Sequence, residues 1–160
     1  MRHPLRNEPV MMRRLMLAIA TIALAINATA CSHAMMMLHG TGATRPAATE
    51  FGMGPRTSAA GRYVATLEPA SPLRPRQMQT VRVTVRDADG RPVDRAEITV
   101  DGGMPEHGHG LPTRPRVTRH LGDGTYEVEG VRFNMGGWWE FRLAIVGALG
   151  TDTVTFNLSL

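Results

Sequence analysis

Gln77-Met78-Gln79-Thr80-Val81-Arg82-Val83-Thr84-Val85-Arg86 is the stretch that decides the fold. Val81, Val83 and Val85 fall on one face, and Thr80, Arg82, Thr84 and Arg86 on the other. That period of two predicts a half-buried β-strand. Asp87-Ala88-Asp89-Gly90 then turns the chain. The same alternation returns downstream. Arg95–Asp101 sets Ala96, Ile98 and Val100 against Glu97 and Thr99. Val117–Leu121 is short, and Gly122-Asp123-Gly124 reads as a hairpin turn. Thr125–Gly130 sets Tyr126 and Val128 against Glu127 and Glu129. Trp138–Val146 groups Trp139, Phe141, Leu143 and Ile145, and Thr151–Leu160 groups Val154, Phe156, Leu158 and Leu160. Arg62–Leu67 makes a first strand upstream. No segment after residue 60 carries a helical period. Short strands with one apolar face each are satisfied by two antiparallel sheets packed face to face. The expected fold is therefore all-β, an immunoglobulin-like antiparallel β-sandwich of about seven strands.

Composition agrees with one domain plus a short tail. Of 160 residues, 42% are apolar and 20% charged, and 17 Gly with 11 Pro favour turns over long helices. A single Cys excludes an internal disulfide. The formal net charge of +4 comes from 18 basic residues, all of them Arg. Arg2, Arg6, Arg13 and Arg14 lie in the first 30 residues, and the rest are scattered without a basic stripe. The charge is no footprint of a nucleic-acid surface.

Residues 1–30 read as an export signal. Arg13-Arg14 precede the apolar run from Leu15 to Ile26, which is too short for a relaxed membrane span. Ala28-Thr29-Ala30-Cys31 then resembles a lipobox, with Ala where Leu is usual. Ordinary cleavage would cut the same Ala30–Cys31 bond. The one Cys stands where a lipid anchor needs it, so Cys31 is expected to be acylated and to hold the protein on a membrane. Ser32 carries no inner-membrane retention signal, which favours the outer membrane of a bacterial envelope, on its periplasmic face. Residues 31–60 read as a flexible tether containing Met, Gly and Pro, with a run of His33, Met35, Met36, Met37 and His39 inside it. The folded domain is expected over 61–160.

Two loops carry the chemistry. The first is Met104-Pro105-Glu106-His107-Gly108-His109-Gly110, and the second is Phe133-Asn134-Met135-Gly136-Gly137-Trp138-Trp139. Side chains at i and i+2 of an extended segment share a direction, so His107 and His109 point together. Following strand direction from Arg95–Asp101 brings both loops to one end of the sandwich. Met104, His107, His109 and Met135 then form a candidate copper site, because imidazole and thioether are the donors that soft copper prefers. Met104 and Met135 also suit core gaps. His120 reads as structural or solvated. Trp138 and Trp139 are candidate partner contacts, since an exposed aromatic is a common interface anchor. No nucleophile elbow, phosphate loop or His-Glu-x-x-His occurs, and the chain does not read as an enzyme.

The Met-Pro-x-His-Gly-His-Gly string, the Phe-x-Met-x-Gly-x-Trp string and the Asp123-Gly124-x-Tyr126 hairpin between them resemble the YtkA-like domain, related to the FixH family of exported bacterial proteins. The likeness covers about residues 75–160. It implies an immunoglobulin-like sandwich outside the cytoplasm, similar in fold to copper-handling proteins of the CopC type. FixH-type proteins are associated with assembly of copper-containing oxidases, so the resemblance implies an envelope metalloprotein or redox partner. Unlike them, this chain has a cleavable signal in place of a membrane-spanning helix. Two functions follow as expectations: a copper-holding or copper-delivering module, or a metal-free interaction domain using the Gly-Gly-Trp-Trp loop.

Overall fold

The computed structural model describes residues 43–160; the export segment, Cys31 and the tract at 33–39 lie outside the described residues. A 3-10 turn at Ala48–Glu50 precedes nine strands. They are β1 (Arg56–Thr57), β2 (Tyr63–Pro69), β3 (Gln79–Asp87), β4 (Glu97–Met104), β5 (His109–Gly110), β6 (Arg116–Gly122), β7 (Thr125–Val131), β8 (Trp138–Gly147) and β9 (Gly150–Ser159). The seven longer strands lie where alternation placed them. The two-residue strands β1 and β5 carry no period and could not be read that way.

All paired strands are antiparallel, and the hydrogen-bonded order is β1-β2-β3-β7-β6-β4-β8-β9, with β5 added beside β4. This differs from two separate sheets. A single registered pair, Thr99↔Arg116, joins β6 to β4. Every other junction between long strands has at least five registered pairs. The path bends at that thin link and nearly closes into a barrel. Alternation reports which face of a strand is buried, not which neighbour it bonds to, so it could not distinguish the two arrangements.

The inner faces meet in one core. Val81, Val83 and Val85 of β3 are buried there, as are Val128 of β7, Phe141, Leu143 and Ile145 of β8, and Val154, Phe156 and Leu158 of β9. The folded unit also begins before Gly61. Phe51 bridges to Asn157, the Gly52 amide donates to the Asn157 carbonyl at 2.9 Å, and Met53 packs against the core. Part of the span expected as tether is thus laid along β9.

Two polar knots fix this geometry. In the first, the Asp152 carboxylate, turned inward on β9, accepts from the Ser58 hydroxyl at 2.6 Å and from the amides of Ala60, Arg62 and Thr153. The second lies at the β6–β7 turn. Asp123 and Gly124 have φ of 50° and 66°, the two left-handed residues of a type I′ hairpin. The Gly124 amide donates to the Asp94 carboxylate at 2.8 Å, and the Gly124 carbonyl accepts from Val85. Beside it the Tyr126 hydroxyl donates to the Val93 carbonyl and accepts from the Ala96 amide.

A Cβ at Gly124 would stand 2.3 Å from the Val85 carbonyl oxygen. Gly124→Ala should destabilise the domain by about 2–3 kcal/mol, read as a lower urea midpoint at unchanged slope. The hydrogen bond from Ser58, with those from the amides, lowers the Asp152 pKa to about 2. A depressed folded pKa means the charged form stabilises the fold above the unfolded value of about 4, and this is lost as pH falls through the folded value. Acid titration of the wild type should show that loss between about pH 4 and about pH 2. Asp152→Asn should be less stable at pH 7 and should lose less over the same interval.

Candidate metal-binding end

Strand register places both loops at one end. The end of β4 pairs with the start of β8 (Gly103↔Glu140), and the end of β7 leads through 132–137 into β8. The first loop is a tight hairpin rather than an open loop. Met104 pairs with His109 across β4 and β5, which leaves Pro105-Glu106-His107-Gly108 as the turn. The Met104 carbonyl accepts from the amides of His107 (3.1 Å) and Gly108 (2.9 Å). Pro105 pre-sets the first turn position, and Gly108, with φ of 64°, takes the left-handed one. A Cβ on Gly103 would meet the His109 carbonyl at 2.9 Å, so the glycines let β5 lie close on β4.

This turn presents the two histidines. His107 and His109 are exposed, with parallel rings (7° between planes) and centroids 6.1 Å apart. The Glu106 carboxylate sits 3.5 Å from the Arg45 guanidinium. Met104, at the root of the hairpin, is only 1% exposed and belongs to the core. Its Sδ-bound methyl lies 2.8 Å from where a Cβ on Gly137 would be, so the two loops touch there. Met135 is 39% exposed, and its carbonyl accepts from the Trp139 indole at 3.0 Å. Met104 therefore sits at the root of the histidine turn, and Met135 is exposed on the loop that approaches Met104 through Gly137.

The two tryptophans, named from the sequence as candidate partner contacts, are both covered, Trp139 on the apolar face that alternation gave it. Trp138 is 2% exposed and Trp139 fully buried. The Trp138 indole donates to the Asn157 side chain at 2.9 Å, and Trp139 meets Phe133 edge-on at 5.1 Å. Neither ring is available as an exposed anchor. Trp139 lies on the inner face of β8 with Phe141, Leu143 and Ile145, while Trp138 is covered locally on the other face, where Glu140, Arg142 and Ala144 stay partly exposed. His120 lies at the opposite end, stacked on Tyr126 and bonded to Asp94 at 2.8 Å. The Gly124 amide first, and His120 with it, hold the Asp94 carboxyl below the usual range.

Further charged groups border the hairpin. Arg142 pairs with Asp101 at 2.9 Å and with Glu140 at 3.0 Å, and that pairing lowers the Asp101 pKa. Glu140 and Arg142 share one face of β8, but sequence pattern alone gave no sign of Asp101, which joins them from β4. Among the described residues, no three His, Cys, Asp or Glu side chains gather closely enough to hold an ion. No helix among them is long and apolar enough to cross a membrane.

The fold and this end define an all-β module that presents a paired-histidine hairpin over buried and exposed thioethers. A family model described as YtkA-like matches residues 57–144, over half of the chain, and the chain belongs to that family. No curated protein matches it.

The burial of Met104 sets an expectation for stability. Met104→Ala should cost about 2–4 kcal/mol through the cavity left under the turn. Met104→Leu, which conserves volume, should stay within about 1.5 kcal/mol of the wild type. Urea denaturation measures both.

Proposed function

We propose that the protein is an exported, lipid-anchored envelope module that binds copper at the hairpin end and holds it for, or delivers it to, a metalloprotein or redox partner. In this reading His107 and His109 bind through imidazole nitrogen, and Met135 through sulfur. Met104 closes the site from below. Cys31 carries the anchor, on the periplasmic face of a bacterial membrane. The nine strands are read as an immunoglobulin-like sandwich of seven long strands, whose half-sheets meet at Thr99↔Arg116.

The observation that carries the reading is the histidine pair. His107 and His109 are both exposed on one tight turn, with stacked rings whose centroids lie 6.1 Å apart, so two imidazoles stand open at the same place. Zinc would want further Cys, His or carboxylate ligands, and among the described residues no such third side chain joins the pair. The carboxylates at this end, Glu106, Asp101 and Glu140, are paired with Arg side chains, which leaves methionine sulfur, and thioether with imidazole selects copper, Cu(I) above all.

Anaerobic titration of the full chain with Cu(I) against a competing chelator tests this. One equivalent should bind, and a His107→Ala/His109→Ala variant should lose at least about tenfold in affinity with its circular dichroism unchanged. Wild-type protein that cannot compete with the chelator refutes the reading.

A further inference from the structure

All four methionines among the described residues, Met53, Met78, Met104 and Met135, sit toward the end of the fold that carries His107 and His109. Register shows this for each. Met78 precedes the start of β3, where Gln79 pairs with Val131 at the end of β7. Met135 follows β7, and Met104 closes β4. The Met53 carbonyl accepts from the Leu67 amide near the end of β2. The four differ in access. Met104 is buried and Met53 packs against the core. Met78 and Met135 are the two whose side chains reach solvent, at 64% and 39%.

The loops bearing these two are joined. The Arg76 amide donates to the Phe133 carbonyl at 2.7 Å, which ties the β2–β3 loop to the β7–β8 loop. The Gln79 side chain then holds the β2–β3 loop from within, accepting from the Arg74 amide at 2.7 Å and donating to the Arg74 carbonyl at 3.0 Å. Met78 thus stands open to water on a doubly clamped loop. A thioether needs no deprotonation to bind a soft cation, so an exposed methionine on a held loop is open to one.

We infer that Met78 is a further sulfur ligand of the copper site, acting with Met135 as the exposed thioether pair that receives Cu(I) and passes it to His107 and His109. The ion stays in the +1 state throughout, and one donor replaces another. The inference rests on the copper reading above and adds a residue to it.

The test uses the full chain with 13C-labelled methionine methyls, Met→Leu variants to assign them, and Cu(I) alone as the probe. With the first equivalent the Met78 and Met135 methyl signals should move and the Met53 signal should stay. Met78→Leu should weaken Cu(I) affinity by about tenfold while leaving the urea midpoint unchanged. An unmoved Met78 signal, or unchanged affinity in Met78→Leu, overturns the inference. If the histidine double variant still loses binding in that case, the copper reading stands without Met78. A Met78 shift that persists at full strength in the histidine double variant also overturns it, because the sulfur would then serve a separate ion. Movement confined to Met35, Met36 and Met37, or no binding at all, overturns both readings.

Discussion

The carboxylate of Asp152 is the interaction on which the closure of this fold depends. A sheet whose path begins at β1 and finishes at β9 has two free edges, and free edges are both sticky and wet. Asp152 projects inward from β9 and gathers the hydroxyl of Ser58 with the amides of Ala60 and Arg62. Those groups lie on the turn between β1 and β2, so one side chain draws the first part of the sheet to the last. The Ala59 amide adds a bond to the Thr153 carbonyl at 2.9 Å. An inward aspartate must be satisfied by hydrogen bonds or the burial becomes costly, and here the turn supplies them.

Closure also explains why the thin link between β6 and β4 suffices. One registered pair would be a weak hinge for an open sheet. With the other seam held through Asp152, and β3, β7, β8 and β9 sharing a core, the two half-sheets cannot part there without exposing that core. The hairpin end inherits this rigidity. Met104 packs into the core from the root of the turn, and Gly137 allows the neighbouring loop to approach its methyl. The histidines are thus carried on a short turn set by Pro105 and Gly108, rooted in a buried side chain.

Much of the fold was legible in the sequence, because long strands with one buried face write their period into it. What lay outside that code depends on contacts between distant segments. β5 is two residues in a glycine-rich stretch, and its partner is β4. Residues 51–57 join the fold through Asn157, Leu67 and the start of β2, about which a local window carries no information. Alternation put Trp139 on the apolar face with Phe141, Leu143 and Ile145 and left Trp138 on the other face, because consecutive aromatics cannot share one. Trp138 is covered all the same, with its indole bonded to Asn157 on the neighbouring strand, and no property of the tryptophans themselves reports that. Asp152 did leave a trace. It is in phase with Val154, Phe156 and Leu158, and an acid on the apolar face of a strand implies partners waiting for it. The end that gathers the histidines was reached from strand direction alone. The depth of Met104 and the openness of Met78 were not, since alternation fails at the loop residues that carry them.

The division of labour among the methionines follows from the same physics. A methionine in a core is an adaptable filler, and Met104 and Met53 are held in that way. An exposed methionine on a clamped loop contributes little to packing, because its neighbours are already fixed by backbone bonds such as Arg76 to Phe133. Glu106, the carboxylate nearest the histidine pair in sequence, faces Arg45, and the acids Asp101 and Glu140 face Arg142. Hard anionic donors around the hairpin are therefore matched to guanidinium groups, whereas the exposed groups left at this end are imidazoles and thioethers. In the copper reading proposed above, a site assembled from these groups would discriminate by donor softness rather than by charge, the basis on which a protein can hold Cu(I) without also collecting hard cations.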